Sequence, residues 1–237
     1  MLVFYPVYRI YRLGNRNSSF FNANNVLNED NLRKAAVKFA NMKPIRFQTQ
    51  EPYKKAAVLI PLCVVDNKVS LLYTLRAANL KSHRAQVSFP GGMLDDKDKN
   101  LEYTALRETT EELGIKESSI VLWGTGKLIV TRGDLSVLPV IGQITEKLKC
   151  TSLNVNYNEV EDVFAVPLEN LCNPKLSGYT QFRSGYSMPV FFGAPKKIWG
   201  LTALITNEFL KALMPAPAYA HPVKFVPMIK SHSFNSL

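Results

Sequence analysis

Between Gly91 and Ile115 the chain reads GGMLDDKDKNLEYTALRETTEELGI, which joins a double glycine and an acidic turn to Arg107, Glu108, Glu111 and Glu112. On a helix over residues 101–113, at about 100° per residue, Glu111 and Glu112 lie about 60° and 40° to either side of Glu108, so three carboxylates share one face. Tyr103, Leu106, Thr110 and Leu113 cluster near the opposite pole, which predicts an apolar side that packs and an acidic side presented outward. Like charges at i, i+3 and i+4 repel, and a cation offsets that cost. Carboxylate oxygens in this number suit a hard divalent ion, Mg²⁺ or Mn²⁺, with substrate phosphates completing its shell. Arg107 reaches Glu111 at i+4 and can hold it in place. A lone ExxEE string is more often a solvated helix face, but the glycine turn just upstream outweighs that reading.

A helix so placed needs a rigid frame. Ala56 to Val65 and Val69 to Arg76 are apolar runs joined by Asp66, Asn67 and Lys68, and they read as a β-hairpin. Arg76 ends the second run, and a basic loop with Lys81, His83 and Arg84 follows before a short strand over Gln86 to Phe89. Further strands are expected over Ile120–Val130, Leu135–Ile144, Val160–Leu168, Tyr179–Phe182 and Met188–Phe192. Helices are expected over Glu29–Met42, capped by Asn28 or Asp30, and over Leu201–Leu213, where Gly200 marks the start and Pro215 and Pro217 follow the end. Many strands with few helices indicate a mixed α/β sandwich and not a doubly wound sheet.

The glycine turn and acidic helix together resemble the Nudix box: Gly, five residues, Glu, seven residues, Arg-Glu, an aliphatic residue, any residue, Glu-Glu, any residue, Gly and an aliphatic residue. Gly92, Arg107, Glu108, Glu111, Glu112, Gly114 and Ile115 match it. Asp98 stands in the place of the first Glu, eight residues separate it from Arg107, and Thr109 replaces an aliphatic residue. The first two departures are similar to the coenzyme A diphosphatase subgroup. So is the upstream stretch Leu72-Tyr73-Thr74-Leu75-Arg76-Ala77, Lys81, Ala85 and Phe89-Pro90-Gly91-Gly92, in which Lys81 and Ala85 replace an Arg and a Gly. With EVEDVFAVPLENL, GYTQF and IWGLTALIT, the resemblance spans about residues 54–213 and extends to the subgroup's mitochondrial member.

The resemblance implies an α/β/α sandwich with a central mixed β-sheet and a hydrolase that cleaves the pyrophosphate of coenzyme A or acyl-CoA, giving 3′,5′-ADP and (acyl)phosphopantetheine. It implies Mg²⁺ or Mn²⁺ on Glu108 and Glu112, with Glu111 a third candidate ligand, and Arg107 orienting the carboxylates. Gly91 and Gly92 would let the backbone approach the metal and substrate. The general base stays open between Glu111, Glu108 and a carboxylate outside the box, Glu159 or Glu161. Arg76, Lys81 and Arg84 are candidate substrate-phosphate donors, with His83 a weaker one. Rival readings are a Nudix pyrophosphatase acting on NADH or ADP-ribose, and a catalytically silent Nudix domain that binds CoA or another nucleotide.

Bulk properties set the outer bounds. A chain of 237 residues with 46% hydrophobic and 20% charged residues can bury a core without staples. Cys63, Cys150 and Cys172 have no metal-finger or CxxC spacing, so unpaired thiols in a reducing compartment are expected. The net charge of +10 suits an anionic partner, yet Lys and Arg form no run that predicts nucleic-acid binding. No apolar stretch is long enough for a membrane-spanning helix. Residues 1–24, basic and acid-free with a Ser/Asn-rich patch, are expected to be a mitochondrial transit peptide, which points to the matrix. The expected division continues with an N-terminal helix and connector over 25–50, the hydrolase domain over 51–213 and an irregular tail over 214–237. Monomer and homodimer are both compatible with the sequence. Tyr179, Tyr186, Trp199, Phe191 and Phe192 could wall an acyl or pantetheine site, although aromatics in strands are more often core.

Overall fold

The apolar run around Ile60 forms strand β2 (Lys54–Val65), buried on both faces at the centre of the molecule. In a computed structural model that describes residues 3–6, 18–78, 85–182 and 186–221, the elements in chain order are as follows. Strand β1 (Val3–Pro6), helix α1 (Ala23–Val26) and helix α2 (Glu29–Ala40) precede β2. Strands β3 (Lys68–Arg76), β4 (Val87–Ser88) and β5 (Gly91–Met93) lead to helix α3 (Leu101–Leu113). Strands β6 (Ile120–Thr125), β7 (Ile129–Val130), β8 (Leu135–Lys147) and β9 (Val160–Pro167) come next, then helix α4 (Leu168–Leu171). Strands β10 (Ser177–Phe182) and β11 (Tyr186–Phe191) and helix α5 (Gly200–Leu213) complete the described elements.

The central sheet is mixed. Strand β2 runs parallel to β8 and antiparallel to both β3 and β5, while β9 pairs antiparallel with the other edge of β3 and β6 and β7 pair with β8. Side chains alternate across each strand, so neighbours enter different cores. Leu59, Leu72 and Val140 pack with Ala105 and Leu113 of α3 on one face. Ile60, Leu71 and Ile141 pack with Leu32 and Phe39 of α2 and with Phe209 and Leu210 of α5 on the other. Burying such a side chain contributes about 1.5–3 kcal/mol, and burial on both faces explains why these strands read as continuous apolar runs. The expected α/β/α sandwich is the observed one. A separate three-stranded sheet has the order β1-β10-β11.

Two expectations need correction. The single run over Ile120–Val130 is two strands, separated near Gly126, where a Cβ would lie 2.7 Å from the Phe39 ring and 2.9 Å from Pro139. The acidic side of α3 also does not face outward as a whole: Glu111 is exposed, Glu108 is half-buried and Glu112 is turned inward. Ala105, Thr109 and Leu113 are buried, and Glu112 is buried among them with 2% of its surface exposed. Helical phase groups the acids, but the direction of that face is set by the sheet, which presents Gly91 and Gly92 beneath Glu108 and Glu112.

Candidate metal centre

The double glycine is what lets α3 approach the sheet. Gly91 and Gly92 pair with Val58 and Ala57 of β2. Gly91 has φ +152°, and a Cβ there would lie 2.2 Å from the Ala57 carbonyl oxygen. A Cβ on Gly92 would lie 2.3 Å from the Glu108 Cδ. Into the space so freed α3 lowers Glu108 and Glu112, and the Gly91 N–H donates to Glu112 Oε2 at 3.3 Å. The helix is held at both ends: Asn100 caps it by accepting the Tyr103 N–H at 2.8 Å, and Gly114, with φ +68°, ends it.

Glu159 joins them from outside the box. Carboxylate oxygens of Glu108, Glu112 and Glu159 all lie within 4.8 Å of one another. The turn before β9 brings Glu159 in, because β9 pairs with β3 in a register that sets Val160 opposite Arg76 across an irregularity in the ladder. The Ala77 N–H donates to the Glu159 carbonyl at 2.9 Å. Glu161 is exposed and lies outside this group. Three carboxylates this close, two of them half-buried and one buried, need a compensating positive charge.

Burial pushes the Glu112 carboxyl up to about 8, with Glu108 and Glu159 adding to the rise and Arg76 and the Gly91 N–H opposing it. Burial likewise raises Glu108, against the pull of Arg107. An all-oxygen set of this kind, whose burial disfavours uncompensated negative charge, fits a hard divalent ion such as Mg²⁺ or Mn²⁺.

Arg107 organises the cluster without joining it. Its Nε and Nη2 donate to Asp98 Oδ1 and Oδ2 at 2.8 and 2.9 Å, Nη2 also reaches the Met93 carbonyl at 3.2 Å, and Nη1 contacts Glu108 Oε1 at 2.9 Å and Glu111 Oε2 at 3.0 Å. Asp98 accepts further bonds from Thr104 Oγ1 at 2.8 Å and the Asp95 N–H at 3.0 Å. The Arg107 guanidinium holds the Asp98 carboxyl well below the usual carboxylate range. The acid in the place of the first box Glu is thus the anchor for Arg107. Glu111, tethered by Arg107 and 54% exposed, is not one of the three clustered carboxylates.

Arg76 stands on the far side of Glu112, with Nη1 3.9 Å from Glu112 Oε1 and a buried Nε that has no hydrogen-bond partner. Lys81, His83 and Arg84 lie outside the described residues. Of the aromatic residues named above, Phe191 and Tyr179 are buried, Phe192 is 41% exposed and Trp199 lies beneath the Lys197 ammonium at 5.6 Å. None of the three cysteines is in a disulfide, and burial pushes the Cys63 thiol up to about 12, which suits packing and not nucleophilic attack.

Sequence reasoning named Glu159 only beside Glu161 as a candidate base outside the box, and it passed over Asn156, which donates from Nδ2 to Glu159 Oε1 at 3.2 Å. The one local signal for Asn156 is its place in a polar turn ahead of a strand, and such asparagines are common.

The chain matches the NUDIX domain model over residues 53–182. It is 42% identical over 177 residues to mitochondrial coenzyme A diphosphatase NUDT8 of Mus musculus, an alignment covering 73% of this chain and 83% of the relative. Identity to the Homo sapiens protein of the same name is 43% over 165 residues, covering 68% and 70% of the two chains. Nudix hydrolase 3 of Caenorhabditis elegans is 37% identical over 190 residues, covering 71% of this chain and 78% of that one. The glycine turn, the buried carboxylates and the Arg107–Asp98 clasp therefore stand in a chain that belongs to the Nudix hydrolase family.

Proposed function

We propose that the chain hydrolyses the pyrophosphate bond of coenzyme A and acyl-CoA in a reaction dependent on Mg²⁺ or Mn²⁺, releasing 3′,5′-ADP and (acyl)phosphopantetheine. The observation that carries this reading is the meeting of two sequence signatures at one point. Arg76, from the stretch shared with coenzyme A diphosphatases, comes within 3.9 Å of the box residue Glu112. Two relatives at 42% and 43% identity bear that enzyme's name.

In this reading Glu108 and Glu112, with Glu159 the third carboxylate of the cluster beside them, would hold the cation. When bound, it lowers the pKa of a water and neutralises charge on the bridging and leaving oxygens of the pyrophosphate. Gly91 and Gly92 keep the backbone close enough for Glu108 and Glu112 to converge. Arg107 fixes the carboxylates of Glu108 and Glu111 and touches no reacting atom. Glu159 is our choice for the acceptor of the water's proton, since it is half-buried, next to both box ligands and not bonded to a cationic side chain in the structure. Arg76 supplies guanidinium donors to a substrate phosphate, and Lys81 and Arg84 extend that positive charge along the loop after it.

Turnover of CoA, acyl-CoA, 3′-dephospho-CoA and NADH across Mg²⁺ and Mn²⁺ concentrations, with the products identified, tests the proposal. CoA or acyl-CoA should show the highest kcat/KM and yield 3′,5′-ADP. Preference for NADH would move the chain to the wider family of nucleoside diphosphate hydrolases, and tight CoA binding without turnover would make it a silent binding domain. We further propose that residues 1–24 act as a leader directing the protein to the mitochondrial matrix. The acid-free composition of that segment and the word mitochondrial in two relatives' names support this. Phe20 and Phe21 pack against the core, so mass spectrometry of the mature N-terminus tests both the targeting and the position of any cleavage.

A further inference from the structure

Asn156 lies in the turn leading into β9, and its hydrogen-bonding groups all serve that turn or the metal centre. Its N–H donates to the Glu112 carbonyl at 2.9 Å, tying the turn to the last turn of α3. Its carbonyl accepts the N–H groups of Glu159 and Val160, each at 3.0 Å. In the side chain, Oδ1 accepts the Asn158 N–H at 3.2 Å while Nδ2 donates to Glu159 Oε1 at 3.2 Å. A backbone N–H can only donate, so the amide oxygen must face Asn158 and the amide nitrogen must face the carboxylate.

We propose that Asn156 is a positioning residue for the hydrolytic reaction, locking the Glu159 carboxylate into register with Glu108 and Glu112. The backbone at Glu159 is already fixed by the Ala77 N–H, so what the amide adds is the choice of side-chain rotamer, which a glutamate has several ways to lose. A neutral donor suits this task. Lys or Arg in the same place would spend the carboxylate's charge, as Arg107 does for Glu111, whereas an amide leaves it for a cation or a proton.

The inference rests on the role given to Glu159 above, and the test separates the two. Asn156→Asp keeps an oxygen for Asn158 and all the backbone bonds but removes the donor, and Asn156→Ala removes both. With CoA and Mg²⁺, each variant should lower kcat by about 10–100-fold with KM within about twofold. Asn156→Asp should do so with its unfolding midpoint unchanged. In a Glu159→Gln background either change should cost less than about twofold more, because the residue being positioned has lost its function. Wild-type kcat in Asn156→Asp overturns the proposal. So does a slow Asn156→Asp beside a fully active Asn156→Ala, which would trace the loss to added negative charge, and so do losses that multiply fully in the double variants. Full activity of Glu159→Gln alone would instead remove the role assigned to Glu159, and the positioning role with it.

Discussion

The Gly92 Cα and the Glu108 carboxylate are separated by less than the room a methyl group needs, since a Cβ on Gly92 would sit 2.3 Å from Glu108 Cδ and 2.5 Å from both of its oxygens. Gly92→Ala is therefore expected to push Glu108 out of the cluster. Turnover should fall by at least about a hundredfold, from displacing a ligand by roughly 1 Å, while the fold survives because a side chain and not backbone is in the way. Wild-type activity in this variant would show that Glu108 is not needed in its observed place.

Glu112 predicts a pH dependence of stability in metal-free protein. Its folded-state value near 8 lies above the ordinary 4.5, so the folded state holds this proton more tightly than the unfolded chain. The resulting stabilisation is complete below 4.5 and lost as pH rises through about 8. Each pH unit in that window removes up to about 1.4 kcal/mol. Chemical unfolding in EDTA from pH 5 to 8.5 should show stability falling with pH, and Mn²⁺ should flatten the curve at the alkaline end. Glu112→Gln should remove most of this slope and reduce turnover by orders of magnitude. A flat metal-free wild-type profile would contradict the burial of an ionisable Glu112.

Asp98→Asn removes the anchor of Arg107. The guanidinium would keep one bond, to the amide oxygen, but lose the other and the facing negative charge of a fully covered carboxylate, at a cost of about 3 kcal/mol. Because the Asp98 carboxyl titrates below its ordinary range, its contribution is present above about pH 4 and disappears as pH falls further, so wild type and variant should converge in acid. A released Arg107 no longer fixes Glu108, and kcat should fall with it. Equal stability of the two proteins at pH 7 would deny Asp98 the anchoring role.

Ala85 has φ +51° and is exposed, so its methyl group meets the left-handed strain without a packing return. Ala85→Gly, which restores the residue usual in the resembling subgroup, should relieve about 1–2 kcal/mol of strain, partly offset by the greater freedom of glycine in the unfolded chain. A net gain of up to about 1 kcal/mol is expected, read as a higher unfolding midpoint. A clear loss would mean that the strain at Ala85 is smaller than the conformational freedom glycine adds to the unfolded chain.

The local order of α3 was written in its own residues: Asn100 caps it, Gly114 stops it, and the observed span Leu101–Leu113 is the one the pattern predicts. The apolar runs of β2 and β3, the Arg107–Glu111 contact and the kinship of the box were likewise legible, because each depends on spacing within about 25 residues. Which way the acids face was not. Helical phase collects Glu108, Glu111 and Glu112 on one side, but only the bare glycine surface of β5 turns Glu112 inward and leaves Glu111 under Arg107 in solvent.

Nor could spacing choose between Glu159 and Glu161, since both offer the same chemistry. The antiparallel register of β9 against Arg76 decides it, setting Glu159 at the cluster and Glu161 in the open. The sequence by itself thus determined the box helix and the ligand type it carries. Tertiary pairing supplied the third carboxylate, which the nearby amide of Asn156 then holds, because hydrogen bonds between strands, unlike a helical repeat, join residues whose separation in the chain carries no information about their contact.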